Sequence, residues 1–290
     1  MPAAIVHYLH ADKVLKNLDV KIPNKKAYYL GAQGPDFLFC HRYFPWMKGE
    51  SLEKLGNAVH EADPNAVLIS MYNYCKEHQT ETLYSYFYGF LCHYTIDSIA
   101  HPYINAKSEM LLKTNPKENL NTLHNEIESA LDTIMLRSET GDLPGKMSLK
   151  SLVVCDIASL NQIGRLWVSV LDEVLNIKVS EKQMVEAFED TKKVFALLND
   201  RTGLKKQLVS KVESGKAHTI SCHIRPILED MEQDFANTSK AEWENSGNSS
   251  DFFELFDDAV VSARKIINGF TYKKINADNI SVYTKNRPFG

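Results

Sequence analysis

The stretch GFLCHYTIDSIAHPYI, residues 89–104, is almost wholly apolar and aromatic, yet it carries His93, Asp97 and His101 at intervals of four. A segment of this composition is expected in a protein core, where an unpaired charge is very costly. The carboxylate of Asp97 therefore needs a partner, which is either another side chain or a metal ion. Any fold for this chain has to bring that partner to the middle of a buried segment.

The bulk composition is that of an ordinary globular protein. The 290 residues are 44% hydrophobic and 24% charged, enough for one large domain or two of ordinary size. A net charge of −4 without a long basic block disfavours an extended nucleic-acid-binding surface. The chain opens without a signal-peptide pattern, and no segment reaches about 18 apolar residues without charge. We therefore expect a cytoplasmic protein with no transmembrane segment.

Helical periodicity dominates the chain, so the predicted fold class is all-α. The sequence GDLPG (141–145) breaks the pattern. We therefore divide the chain into a metal-binding helical core, 1–145, and a C-terminal helical part, 146–290, packed on the core as one structural unit. The predicted helices include residues 3–18, 51–62, a segment after the Asp63 cap and Pro64, about 80–100, 116 onward, 160–176, 181–199 and 251–268.

Two helix boundaries follow from local signals. Pro102 disfavours helical geometry in the residue before it, so the helix that begins near Thr80 is expected to end at His101. The next helix is expected to begin with Asn115 as its N-cap and Glu118 in the capping-box position. The tail after residue 270 is expected to be extended.

Two pairs of chemically active residues are spaced four apart, and such positions share one face of a helix. His93 and Asp97 form one pair, and His124 and Glu128 form the other. Imidazole nitrogen and carboxylate oxygen are normal zinc ligands, although a single such pair is more often a hydrogen-bonded pair than a metal site. Further candidates lie on an apolar face or at the end of an element: His7, Asp36, His60 and His101.

For the remaining histidines we expect surface, loop or structural roles instead of metal binding. We expect His10, His41 and His78 to be solvated surface or loop residues. His218 and His223 are expected to have a structural or surface role, although they could approach a site. The coincidence of several candidates, rather than any one of them, is what favours a metal centre.

The motifs HYLHADKVL, LGAQGPDFLF, AVH, GFLCHYTIDSIAHPYI and HNEIE, in this order, resemble the zinc-dependent phospholipase C family of the phospholipase C/P1 nuclease superfamily. The resemblance covers about residues 1–135. It implies a multi-helix bundle that holds up to three Zn²⁺ ions. The ligand sets that it implies are His60, His93 and Asp97; His7, the bridging carboxylate of Asp97 and the chain's N-terminus; and His101, His124 and Glu128.

This chain departs from the secreted members of that family in two ways. Three residues separate Asp97 from His101, where those members have five. The chain begins Met-Pro instead of with a mature tryptophan, so we expect removal of Met1 to leave the amine of Pro2 as a zinc ligand. The resemblance implies that Asp36 is either a further ligand, as in the nuclease branch, or the general base.

The implied activity is that of a zinc-dependent phosphoric diester hydrolase, phospholipase C-like, in which activated water attacks phosphorus. Asp97 would bridge two ions, and Asp36 would orient or deprotonate the water. The expected substrate is a small-molecule or phospholipid phosphodiester, with transient membrane contact and no nucleic acid.

Three alternatives stay open at this point. The first is a P1-like nuclease, the second a metal-binding helical protein with little or no catalytic activity, and the third a structural protein whose His/Asp pairs are hydrogen-bonded. The aromatic side chains of the loop 31–46 do not decide between the substrates, since they could contact a choline group, stack on a base or fill the core.

Overall fold

The helical periodicity of the chain is reproduced in its structure, a computed structural model that describes residues 4–44, 46–228, 230, 232–243 and 246–290. No β-strand occurs in these ranges, so the all-α prediction is confirmed. The α-helices are α1 (Ala4–Lys16), α2 (Lys25–Gly31), α3 (Phe37–Cys40), α4 (Glu53–Glu61), α5 (Pro64–His78), α6 (Glu81–Thr114), α7 (Leu120–Thr140), α8 (Ile157–Leu175), α9 (Glu181–Leu198), α10 (Leu204–Val212), α11 (Phe252–Thr271) and α12 (Ile280–Thr284).

Helix α6 is the centre of the fold. It has 34 residues and is apolar on all sides over most of its length, which is typical of a helix surrounded by others. Helices α1, α2, α7 and α11 pack around it. The crossing with α2 is especially close, because a Cβ atom at Gly31 would collide with the carbonyl of Tyr86, and one at Gly89 with the carbonyl of Tyr28.

The expectation that α6 ends at His101 is wrong, because the helix continues through Pro102 to Thr114. A proline inside a helix costs about 3 kcal/mol, so packing of the following turns has to outweigh that cost. Tyr103 supplies part of this packing, since it is buried and its hydroxyl donates to the Phe235 carbonyl. As a result, His101 stays in helical register one turn beyond Asp97.

The start of α7 also differs from the prediction. Asn115 ends α6, and Asn119 is the N-cap of α7 in a reciprocal capping box with Thr122. Glu118 does not close a box with Asn115. Its carboxylate instead accepts hydrogen bonds from the Thr122 hydroxyl and the backbone N–H of His218, a residue distant in the chain.

Other local signals act as predicted. Asp63 caps α5 ahead of Pro64, and Ser180 forms a capping box with Gln183 at the start of α9. The expected extended tail is wrong, because α11 is followed by turns and by α12.

In the C-terminal half, α10 was not predicted, while α11 packs on both α1 and α6. The domain boundary at residue 145 stays a prediction. None of the described helices combines the length and apolar character needed to cross a membrane.

His10 is not the surface residue that the sequence suggests. It lies buried on α1 with its ring edge-on to Phe256 of α11, the two ring centroids 5.6 Å apart. Burial lowers the pKa of its imidazole to about 3.

Because His10 is buried in its neutral form, we predict that the free energy of unfolding decreases at acidic pH. The unfolded chain protonates His10 near its ordinary pKa of about 6.5, whereas the folded chain does so only near 3, so the free energy of unfolding falls as the pH drops through that interval. We expect His10→Leu to reduce the slope of that free energy between about pH 6 and pH 4 by up to about 1.4 kcal/mol per pH unit. Urea unfolding at several pH values measures the slope. The exposed His78→Leu serves as the control, and an equal slope for both variants would contradict the assignment.

Candidate metal centre

Five segments deliver the predicted ligands to one end of the bundle. Helix α1 supplies one histidine, the turn after α2 supplies an aspartate, α4 supplies a histidine, and α6 and α7 supply the rest. Each of these side chains lies within 4 Å of another member of the set. Pro2 lies outside the described residues. The eight side chains that come together are His7, Asp36, His60, His93, Asp97, His101, His124 and Glu128.

The first group joins α1 to α6. His7 Nε2 lies 3.1 Å from Asp97 Oδ1, and His93 Nε2 lies 3.0 Å from Asp97 Oδ2. The start of α1 is held in place because the Val6 N–H donates to Asp132 Oδ1 of α7 at 2.7 Å. Two zinc ligands in tetrahedral geometry are about 3.3 Å apart, so these separations suit donors that share an ion.

The second group joins the turn after α2 to α4 and α6. His60 Nε2 lies 3.3 Å from Asp36 Oδ1, and His93 Nδ1 lies 3.9 Å from Asp36 Oδ2. Gly34 allows the turn to approach this closely, since it has a φ of 59° and a Cβ atom there would collide with the ring of His93. His93 therefore stands between the two groups, and Asp36 is the carboxylate in contact with His60.

The third group depends on the uninterrupted α6. His101 Nε2 lies 3.6 Å from Glu128 Oε1, and His124 Nε2 lies 3.3 Å from the same oxygen. His101 Nε2 is also 3.8 Å from Asp97 Oδ1. Asp97 thus faces imidazoles of both the first and the third group. The shorter spacing from Asp97 to His101 is accommodated because helical geometry keeps both residues on one face.

Hydrogen bonds to the far ring nitrogens orient three of the histidines. Nδ1 of His7 lies 3.0 Å from the Ala32 carbonyl, Nδ1 of His60 lies 2.8 Å from a carbonyl one turn earlier in α4, and Nδ1 of His124 lies 3.2 Å from Asn105 Oδ1. An acceptor at Nδ1 selects the tautomer that leaves Nε2 with a lone pair. Metal-binding histidines are usually held in this way.

The buried carboxylates of the site stabilise positive charge on the neighbouring histidines. Burial lowers the pKa of His7, but the facing Asp97 outweighs it and raises that pKa to about 9. Burial likewise opposes charge on His60, and Asp36 raises its pKa to about 9. The pKa values of Asp97 and Glu128 are held below their usual range, against the effect of burial, by the surrounding imidazoles.

Two buried atoms of the site fit the coordination of a cation. Asp36 Oδ2 and His93 Nε2 have no hydrogen-bond partner among the described residues, although His93 Nε2 lies close to a carboxylate oxygen. Burying such atoms unsatisfied is costly. Their positions within the groups, together with the nitrogen and oxygen donor set, fit zinc.

A fourth group of similar residue types is occupied by protein cations. His41, Glu186 and Asp190 come together, and His41 is buried, contrary to the surface position expected from the sequence. The guanidinium of Arg42 binds Glu186 through two hydrogen bonds of 3.2 and 3.1 Å, and the amine of Lys193 lies 2.9 Å from Asp190. These contacts already neutralise the carboxylates, which separates this group from the other three.

A cleft of about 800 Å³ opens above the centre. Six of the eight side chains line it, while His7 and His93 lie deeper. Among the loop aromatics, Phe37 is core packing because it stacks on Phe188, whereas Phe39 and Tyr43 line the cleft. Most of the other wall residues are polar: Glu53, Asn57, Glu61, Asn105, Asn121, Asn125, Thr219 and His223.

The residues near 288–290 belong to the site, and sequence reasoning missed them. The ring of Phe289 is buried, with its centroid 6.2 Å from that of His60 and 6.5 Å from that of His93. Tyr94 contacts this ring edge-on and donates its hydroxyl to the Arg287 carbonyl at 2.9 Å. No local signal in one sequence reports a contact between segments so far apart.

We expect Phe289→Ala to destabilise the protein by roughly 3 kcal/mol, because it leaves a cavity beneath two histidine rings. It should also speed zinc loss, since those rings lose the packing that orients them. Urea unfolding and the rate of zinc transfer to a chelator measure the two effects. The exposed Val282→Ala is the control, and equal chelation rates would contradict a role in holding the ligands.

The protein is therefore all-helical, with buried imidazoles and carboxylates gathered into three groups that could each hold a metal ion. Residues 3–197 match the family model that is described as zinc dependent phospholipase C. This chain is a member of that family. The match confirms the resemblance seen in the motifs and includes all eight side chains. Comparisons with curated proteins and with solved structures found no match.

The raised pKa values predict that zinc and protons compete for this centre. His7 and His60 hold protons up to about pH 9 in the metal-free site, so zinc has to displace them. We expect proton release on zinc binding at pH 7, and an apparent affinity that rises from about pH 6 to pH 8. Calorimetry in two buffers of different ionisation enthalpy counts the protons. An affinity independent of pH across this range would contradict the prediction, and His78→Gln should behave as the wild type.

Proposed function

We propose that this chain is a zinc-dependent phosphodiester hydrolase, phospholipase C-like, that works with up to three zinc ions. Family membership supports the reaction class. The observation that carries the proposal is the set of donor-to-carboxylate distances, 3.0 to 3.9 Å, at the closed end of a cleft large enough for a substrate head group.

The proposed ligand sets combine the family pattern with these contacts. Asp97 is proposed as a bridging ligand between the first two sets, since it faces more imidazoles than Asp36 or Glu128 does. Pro2, with Met1 removed, stays a proposal for the second set. The three sets are His60, His93 and Asp97; His7, Asp97 and Pro2; and His101, His124 and Glu128, with Asp36 beside the first set as the residue that acts on water.

The negative charge of the buried carboxylates explains why hydrolysis of a phosphodiester at this site would need cations. Asp36, Asp97 and Glu128 are all buried at the closed end of the cleft. Without compensation they would repel a phosphodiester, which is itself an anion. When bound, zinc supplies a Lewis acid that neutralises phosphoryl oxygen and lowers the pKa of water toward neutrality.

The remaining steps fall to the chain's own residues. Asp36 lines the cleft, and we assign its carboxylate the role of holding the proton of the attacking water. His60 Nε2, 3.3 Å from Asp36 Oδ1, fixes the position of that carboxylate. The buried ring of Phe289 keeps bulk water from the sides of His60 and His93 that it covers.

Substitution of Asp97 and substitution of Asp36 should have different effects on zinc content and on activity. Asp97→Asn is expected to lose zinc and activity together, because Asp97 contacts donors of two groups. Asp36→Asn is expected to lower kcat by about 10²- to 10⁴-fold with a smaller loss of zinc, if the carboxylate acts as the base. Metal analysis and kinetics on the same preparations measure both. Asp257→Asn, on an exposed carboxylate, is the control, and equal zinc loss in the Asp36 and Asp97 variants would refute this division.

The substrate class is tested by comparing the hydrolysis of two candidate substrates by the same protein preparation. We expect the zinc-loaded protein to hydrolyse a chromogenic phosphocholine diester and to leave single-stranded DNA intact, in line with the family and with a net charge of −4. Cleavage of DNA alone would favour the nuclease alternative. Bound zinc without turnover of either substrate would favour a binding protein, and no bound zinc would favour the structural alternative.

A further inference from the structure

Helix α10 presents three of its four apolar side chains to solvent, while Val209 packs against the core. Leu204, Leu208 and Val212 are one turn apart, so they form a single stripe. Their exposed fractions are 59%, 64% and 84%. Scattered exposed apolar residues are common, but a continuous stripe on a helix with no buried residue calls for an explanation.

Two lysines of α10 turn inward instead. The Lys206 amine donates to the carbonyls of Ser221 and Ile224 at 3.1 and 2.7 Å. The Lys205 amine donates to two carbonyls at the end of α9. A helix that only covers the protein surface has the opposite arrangement, with lysines in water and leucines beneath. The inversion indicates a surface that meets an apolar phase.

This stripe borders the cleft. Ile220, which is exposed, directly follows Thr219 of the cleft wall. The carboxylate of Glu213, at the end of α10, accepts a hydrogen bond from the Thr219 hydroxyl at 3.3 Å and one from the Ile220 N–H at 2.7 Å. The end of α10 is therefore close to the cleft.

Trp46 is a second exposed apolar side chain, three residues after Tyr43 of the cleft wall. It is 73% exposed and stacks on Phe44, the two ring centroids 4.7 Å apart. Tryptophan is favoured where a protein meets the boundary between water and lipid.

Lysines lie beside the end of α10, whereas Glu53 and Glu61 lie in the wall of the cleft. A hollow beside the end of α10 is lined by Lys117, Lys211 and Lys216, and none of the three makes an ion pair within the described ranges. The acidic Glu118 of this hollow is paired with His218. Lysines that flank an apolar stripe are the pattern of helices that lie on anionic lipid.

We propose that Leu204, Leu208, Val212, Ile220 and Trp46 form a docking surface for an anionic phospholipid bilayer, which brings the mouth of the cleft against the lipid head groups. This inference rests on the proposed function for its purpose, although the surface itself can be tested without turnover. The apolar side chains would enter the interface while the lysines stay at the level of the lipid phosphates.

Trp46 reports docking directly. Trp167 and Trp243 are buried, so a shift of tryptophan emission to shorter wavelength on mixing with vesicles reports on Trp46. We expect this shift when zinc-loaded protein meets vesicles of phosphatidylglycerol and phosphatidylcholine, within the first seconds after mixing. It should weaken with added salt and with pure phosphatidylcholine, since part of the attraction is electrostatic.

The double variant Leu208→Gln/Val212→Gln should bind these vesicles about tenfold more weakly, because two side chains no longer enter the interface. Val261→Gln is the matched control, as Val261 is 65% exposed on α11. Circular dichroism checks that each variant is folded. Wild-type protein that fails to bind, or equal binding by both variants, would overturn the proposal, as would a dimer of the wild type that the double variant abolishes.

The same experiment separates this inference from the proposed function. Vesicle binding with no hydrolysis of a water-soluble diester would refute the function and leave the docking surface standing. Hydrolysis of the soluble diester without vesicle binding would refute the docking surface alone.

Discussion

A buried carboxylate surrounded by imidazoles is the interaction on which the rest of the structure depends. Asp97 lies in the middle of an apolar helix and faces His7, His93 and His101. Helix α6 can bury this residue because its own His93 and His101, together with His7 of α1, surround the carboxylate with imidazoles. The close crossing of α2, the glycine turn before Asp36 and the continuation of α6 through its proline all serve that convergence.

The convergence also determines the chemistry that the site can perform. Three buried carboxylates in a small volume hold protons on neighbouring histidines and leave some donor atoms without partners. Bound divalent cations would replace those protons and pair with those atoms, and under the proposed function they would make the cleft attractive to a phosphodiester. A docking face beside the cleft would add access to a substrate that stays in a bilayer, so that one end of the molecule serves both binding and catalysis.

Much of this arrangement was predictable from local patterns. The spacing of His93 from Asp97, and of His124 from Glu128, placed each pair on one helix face, and the motif order indicated the family that the comparison confirmed. The caps of α5 and α9 were also correct. These features depend on residues a few positions apart, which a single sequence displays.

The wrong predictions all concern residues whose structure is determined by contacts with segments distant in the sequence. Pro102 was expected to end α6, but the packing of later turns overrides its local preference. Glu118 was assigned to a capping box, yet it bonds to the distant His218. His10 was considered a surface residue, and Phe289 was not considered at all, because both owe their burial to segments far along the chain. Contacts of that range leave no periodic signal.

The most direct measurement is anomalous diffraction from crystals of the zinc-loaded protein, with data collected on both sides of the zinc absorption edge. We expect up to three peaks, each about 2.0–2.2 Å from donor atoms of the three groups around Asp97. The absence of peaks there, or ligand side chains that turn away from one another, would contradict a zinc-centred site.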